Sequence, residues 1–223
     1  MSPMSPSDVQ LKIPGRKYGK PIPMTEEDIQ DVINRFVFTA KIARESGFDG
    51  IQLHSAHGYL LSQFLSPDIN QRSDAWGGSL ENRARIHLEI IKKCREEVGN
   101  DFAISIKMNS ADFQKGGFSP EDSIQVAKLF SDSGIDNIEI SGGTYEQPRL
   151  LGLDKVSINP KRSENRKEST IAREAYFLSY AEEIAKVVNI PLMVTGGFRT
   201  KEGMEAALRD GACEIVGVGR PLC

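Results

Sequence analysis

The run His54-Ser55-Ala56-His57-Gly58-Tyr59 puts two imidazoles and a phenol at the end of a short apolar stretch, Phe48 to Leu53. A buried strand that ends in such groups delivers polar chemistry to its C-terminal edge, where ligands bind in α/β proteins. Two imidazoles so spaced can donate hydrogen bonds to one oxygen atom of a small molecule. A phenol, protonated near neutral pH because its ordinary pKa is about 10, can give a proton to a carbon that has gained negative charge. Other readings stay open for these residues. A metal would need further ligands, and none is obvious nearby in the sequence. Histidines and a tyrosine that pack, the latter with Leu60 and Phe64, are the plain alternative. The third histidine, His87, falls inside a predicted helix and is read as structural.

Two more groups could do chemistry. In the predicted strand Phe102 to Met108, alternation sets Phe102, Ile104, Ile106 and Met108 against Ala103, Ser105 and Lys107. The same alternation puts Gln52 and His54 on one face of the first strand, and Asn137, Glu139 and Ser141 on one face of the third. A polar inner face with Lys107 and Glu139 is costly unless its charges are paired. Either Lys107 and Glu139 satisfy each other, or they meet a ligand. The last group is Gly196-Gly197 and Gly219-Arg220, each following a predicted strand. Glycines there let backbone N–H groups approach an anion, the next helix offers its positive end, and Arg220 adds a bidentate charge. A single Gly-Gly is an ordinary turn; two such loops in the last two units favour phosphate. Gly142-Gly143 has a weaker case.

These groups need elements to hold them. Residues 1–24 carry Pro3, Pro6, Pro14, Pro21 and Pro23 and read as an extended lead-in. Thr25-Glu26-Glu27-Asp28 is a helix start, followed by apolar residues at helical spacing to about Ala43. Ser79 caps a helix to about Val98, Ser119-Pro120 opens another, a fourth runs from about Ile171 to Val188, and Thr200 caps the last. Strands end near Leu53, Met108, Ile140, Thr195 and Val218. Strict alternation of strand and helix predicts parallel βα units. A closed barrel of this class has eight strands; five are legible here. Arg83 and Arg85 are read as helix-capping or surface groups.

The stretch His54 to Pro67, together with Asn70-Gln71-Arg72-Ser73-Asp74-Ala75-Trp76-Gly77-Gly78-Ser79-Leu80-Glu81-Asn82-Arg83-Ala84-Arg85, resembles the Old Yellow Enzyme family, also called NADH:flavin oxidoreductases/NADH oxidases. The resemblance implies an α/β fold of the TIM (β/α)8-barrel family, present here as an incomplete barrel that begins after the family's first three strands. It implies a partial FMN-binding domain over residues 25–223, with NAD(P)H as reductant and an activated alkene or enone as the small-molecule partner. It implies that His54 and His57 grip the carbonyl or nitro oxygen and that Tyr59 supplies the proton. Lys107 would stand beside the flavin ring, and Gly196, Gly197, Gly219 and Arg220 would hold the FMN phosphate. A homo-oligomer is compatible with it. The competing readings are a non-catalytic remnant that holds no FMN and, last, a metal-dependent barrel hydrolase, for which Glu139 is the only inward carboxylate.

Composition narrows the field. The chain has 223 residues, a net charge of −3 and a pI of about 5.7, so no basic footprint for nucleic acid is present. Cys94, Cys213 and Cys223 show no paired spacing and suit a reducing compartment. No apolar run is long enough to span a bilayer, and the polar, Pro-rich start lacks the pattern of a signal peptide. The expectation is a cytoplasmic protein.

Overall fold

The computed structural model describes residues 3–13, 16–144 and 177–219. Five parallel strands form one sheet in strictly sequential order: β3 (Gly50–Ser55), β4 (Ala103–Asn109), β5 (Asn137–Ser141), β6 (Leu192–Thr195) and β7 (Ile215–Gly217). The helices are α1 (Glu26–Glu45), α2 (Leu60–Leu65), α3 (Leu80–Val98), α4 (Pro120–Asp132), α5 (Leu178–Ala185) and α6 (Lys201–Arg209). Arg220 and Cys223, with residues 145–176 and so the expected helix start at Ile171, lie outside the described residues.

Capping chemistry sets the helix starts. Thr25 and Asp28 form a reciprocal capping box at α1, the Asp28 N–H donating to Thr25 Oγ1 at 3.2 Å and the Thr25 N–H to Asp28 Oδ2 at 2.8 Å. Ser79, Ser119 and Thr200 cap α3, α4 and α6 in the same way through one side-chain oxygen each. Helix α3 stops at Gly99, whose φ of 72° is left-handed and suits glycine alone among ordinary residues.

Packing follows the alternation. Ile104, Ile106, Met108, Ile138, Ile140 and Val194 are fully buried on the sheet's outer face, against Ile86, Ile90 and Ile91 of α3 and Val126, Ala127 and Phe130 of α4. Each such isoleucine contributes about 2 kcal/mol through burial. The opposite face behaves differently. Gln52 and His54 on β3 are exposed, Glu139 on β5 is 3% exposed, and Ile215 on β7 is 43% exposed. Burial of the inner face is thus greatest at the centre of the sheet. Among the described residues, β3 and β7 each pair with one strand only.

Three features depart from the sequence reading. The loop after β3 contains the helix α2, too short to show periodicity and capped by Tyr59 without a side-chain bond. The lead-in carries two short strands, β1 (Met4–Ser5) and β2 (Ile22–Pro23), paired in parallel. It is held down by Arg72, whose Nη1 donates to the carbonyls of Pro6 at 3.0 Å and Met24 at 2.6 Å. Arg83 is no surface group: it is 6% exposed, donates to the carbonyl of Leu65 and pairs with Asp122 at 2.9 Å, joining α2, α3 and α4. Arg85 is exposed, as expected. Cys94 and Cys213 are free and buried.

His87 is structural: it is fully buried on α3, with Nε2 2.7 Å from Ser55 Oγ. Burial drives its pKa from 6.5 down to about 3. The folded protein keeps this ring neutral where the unfolded chain protonates it. Its contribution is therefore fully present above pH 6.5 and is lost as the pH falls toward 3, by up to about 1.4 kcal/mol per pH unit. Urea unfolding at stepped pH should show this decline, and His87→Gln should flatten it; an unchanged slope in the variant would assign the decline to other groups.

Candidate active site

The site grows from the C-terminal edge of the sheet. Strand register aligns His54 with Lys107 and Lys107 with Glu139, so one inward row carries an imidazole, an ammonium and a carboxylate. Lys107 Nζ lies 2.9 Å from Glu139 Oε1, and Gln52 Nε2 donates to Glu139 Oε2 at 2.8 Å. Both carboxylate oxygens are engaged, so Lys107 and Glu139 satisfy each other. The ion pair occupies one of the three donors an ammonium carries. The Lys107 side chain remains 23% exposed.

Beyond β3 the chain turns sharply. His57 has φ 64° and Gly58 φ 81°, so the backbone reverses before Tyr59 opens α2. The turn folds the three sequence-predicted groups together. The His54 ring centroid lies 5.4 Å from that of His57 and 5.0 Å from that of Tyr59. His57 Nε2 lies 2.7 Å from Ser141 Oγ at the end of β5. Tyr59 is 44% exposed and is not packed into the core with Phe64.

Electrostatics keep both imidazoles neutral. Partial desolvation of the ring, whose residue still keeps solvent contact, lowers the His54 pKa, with the Lys107 charge adding to it and Glu139 opposing. Burial brings His57 down to about 4, helped by repulsion from His54 where that ring is protonated and by the Lys107 charge, and opposed by Glu139. A neutral imidazole carries one N–H donor and one acceptor nitrogen. The pair can therefore donate to an oxygen without itself supplying the proton of a cation.

The glycine loops lie along the same sheet edge, after β6 and β7. Gly196 and Gly197 have φ of 129° and 88°, values L-residues rarely adopt. Among the described residues nothing beyond its chain neighbours lies within 4 Å of where a Gly219 Cβ would stand. Thr200 begins α6 just beyond, accepting from the Gly203 N–H at 3.1 Å. At Gly196 a Cβ would stand 3.0 Å from the Phe177 ring, so there the missing side chain also serves packing, whereas glycine backbone beside a helix start, as at Gly197, is compatible with a phosphate. Arg220 lies outside the described residues. Gly142 serves packing: a Cβ there would stand 2.6 Å from the Phe177 ring and 2.8 Å from that of Phe113.

Sequence reading stopped the inward face of β4 at Lys107. It continues to Asn109, which accepts from the His57 N–H at 3.1 Å. The same alternation, taken one step further, signals it. A cavity of about 210 Å³ behind the turn, lined by Tyr18, Gly58, Ser62, Gln63 and Asp112 among others, depends on the lead-in and has no sequence signal. Among the described residues no cluster of three potential metal ligands occurs, and no helix is long and apolar enough to cross a membrane.

Parallel strands alternating with helices, with polar side chains gathered at the strands' C-terminal ends, define part of a (β/α)8 barrel. The chain belongs to the NADH:flavin oxidoreductase / NADH oxidase family, whose model matches residues 1–223. It is an FMN family with NAD(P)H as reductant. The chain is 41% identical over 209 residues to the NADH-dependent flavin oxidoreductase iliE of Hypocrea jecorina (strain QM6a), covering 92% of this chain and 49% of that protein. It is 38% identical over 223 residues to the NADH oxidase of Thermoanaerobacter brockii, covering all of this chain and 31% of that one. Among solved structures, a 2-naphthoyl-CoA reductase complex matches with a TM-score of 0.82 at 29% identity, covering 96% of this chain and 30% of that one. The old yellow enzyme homologue of Zymomonas mobilis matches with a TM-score of 0.74 at 25% identity, covering all of this chain and 58% of that one. The chain spans about half the length of the iliE relative.

The buried ion pair yields a stability test. Lys107→Met leaves the Glu139 carboxylate buried with only Gln52 as donor, which costs about 3 kcal/mol. Adding Glu139→Gln should recover most of that loss in urea unfolding. A double variant as unstable as the single one would show that the two residues are not coupled.

Proposed function

We propose that this chain carries the substrate-gripping and phosphate-binding part of an FMN-dependent NAD(P)H oxidoreductase that reduces activated C=C bonds, with small enones as the substrate class. The observation that carries the reading is the convergence of His54, His57 and Tyr59 at the end of β3, with ring centroids 5.0 and 5.4 Å from His54. The chemistry FMN supplies when bound is hydride transfer, taken from NAD(P)H and given to the alkene.

The protein's own groups do the rest. His54 and His57, both neutral at pH 7, donate N–H groups to the carbonyl oxygen of the enone. Negative charge grows on that oxygen as hydride adds to the β-carbon, so these bonds strengthen toward the transition state. The α-carbon then takes a proton from the Tyr59 hydroxyl, and solvent reprotonates the phenolate. Lys107, with donors left over from its ion pair, would hold the flavin ring, where its positive charge would favour the reduced anion. Backbone N–H groups at Gly196, Gly197 and Gly219, and Arg220 of the same stretch, would hold the FMN phosphate. The cavity of about 210 Å³ beside Gly58 offers room for an apolar substituent.

A second reading is a chain that holds no FMN. The exposure of Gln52 and His54 on the inner face supports it, because a ring site open on one side loses contact area.

Visible absorption of the purified chain titrated with FMN separates the two. The first reading expects a band shifted from that of free FMN, lost in Lys107→Ala. It also expects Tyr59→Phe to keep the flavin while enone turnover falls about 100-fold or more. Free-flavin spectra at every FMN concentration would support the second reading.

A further inference from the structure

The end of β4 holds a buried amide that the reaction does not touch. Asn109 is 1% exposed. Its Nδ2 donates to Asp112 Oδ1 at 2.9 Å and to the Gly143 carbonyl at 3.1 Å, while its Oδ1 accepts from the His57 N–H at 3.1 Å. One side chain therefore ties the loops that follow β3, β4 and β5.

The sense of that amide is fixed by its partners. A carboxylate and a carbonyl can only accept, so both demand the NH2 end. The oxygen is left to face His57. Asp112 cannot drift away to relax this, because it is 1% exposed, its Oδ2 accepts from the Phe118 N–H at 2.9 Å, and its own N–H donates to the Phe118 carbonyl at 2.9 Å. A small loop closes on Asp112, Asp112 orients Asn109, and Asn109 presents an acceptor to His57.

His57 needs such a hold. Its φ of 64° lies in the left-handed region, which costs a non-glycine residue about 1 kcal/mol or more. Register adds a second point of contact. Asn109 pairs with Ser141 across β4 and β5, and Ser141 Oγ lies 2.7 Å from His57 Nε2. One register pair thus grips His57 twice, Asn109 at the backbone and Ser141 at the ring. Alanine or serine at 109 could not supply one acceptor and two donors at that reach.

We infer that Asn109, oriented by Asp112, is a positioning residue that locks the left-handed turn at His57 and so aims its imidazole at the seat of the substrate oxygen. The inference rests on the proposed oxygen-gripping role of His57. It goes beyond that role by assigning the geometry of the grip to a residue that touches neither substrate nor cofactor.

The test follows the His57 ring in the chain without cofactor or substrate, by two-bond 1H–15N correlation spectra of 15N-histidine-labelled protein across pH. The native ring should stay neutral down to about pH 4. In Asn109→Ala the turn relaxes, the ring leaves Ser141 for water, and its titration should rise by at least about one unit toward the ordinary histidine value. Asp112→Asn keeps the side-chain volume but removes the charge that orients the amide, and should raise the titration by a smaller amount. The groups facing the ring, His54, Lys107 and Glu139, are unchanged in both variants. If both variants only lower the unfolding midpoint and leave the His57 titration and tautomer as in the native chain, Asn109 is structural and the inference fails. These spectra need no flavin, so failure of the FMN titration with a shifted His57 would sink the enzymatic reading while leaving the positioning intact. In flavin-loaded protein, Asn109→Ala should lower kcat/KM for an enone by about 100-fold, the cost of a small misplacement.

Discussion

The Glu139 carboxylate is the constraint around which the inner face is built. A carboxylate that is 3% exposed must have its oxygens satisfied, and Lys107 and Gln52 reach them from β4 and β3. Three neighbouring strands are thereby cross-linked through side chains as well as backbone. The same pairing brings a positive charge next to His54 and His57. That charge adds to burial in holding both imidazoles neutral. Lys107, which makes the buried carboxylate tolerable, therefore also helps burial keep each histidine neutral, with one N–H to donate.

Much of the distinctive stretch after the turn is scaffold. Asn70 donates to the carbonyls of Phe64 and Trp76 at 2.8 Å each, stitching the end of α2 to the loop that precedes α3. Arg72 grips the lead-in, and Arg83 ties the Leu65 carbonyl to Asp122 on α4. The lead-in reaches the turn through a short relay, Ser5 Oγ donating to Gln63 Oε1 at 3.2 Å and Gln63 Nε2 donating to the Gly58 carbonyl at 2.8 Å. These polar residues orient loops and bond to backbone carbonyls away from the His54–Tyr59 cluster.

Alternation and capping were legible because both are local. Thr25, Ser79, Ser119 and Thr200 each bond within their own first turn, and the apolar members of β4 and β5 repeat every second residue. The pairing of Lys107 with Glu139 could be posed from alternation but not decided, since it depends on register between strands. The burial of Arg83 was illegible for a similar reason: its partners Leu65 and Asp122 lie far from it in sequence and meet it only in the packed structure. Helix α2 and the two short strands of the lead-in were too brief to carry a period. The roles of His54, His57 and Tyr59 came from resemblance; their residue types alone left packing and hydrogen bonding undivided.

The gradient of burial across the sheet has a dynamic consequence. Strands β4 and β5 have neighbours on both sides and the most deeply buried side chains, whereas β3 and β7 each have one neighbour among the described residues. Amide protons should therefore exchange with solvent slowest at the centre and fastest toward both margins. The His57 turn hangs from one margin and the Gly219 loop from the other. Whatever spans the opening between them would stiffen two distant loops at once, so order at the Gly219 loop and order at the histidine turn would rise together without any direct contact between them.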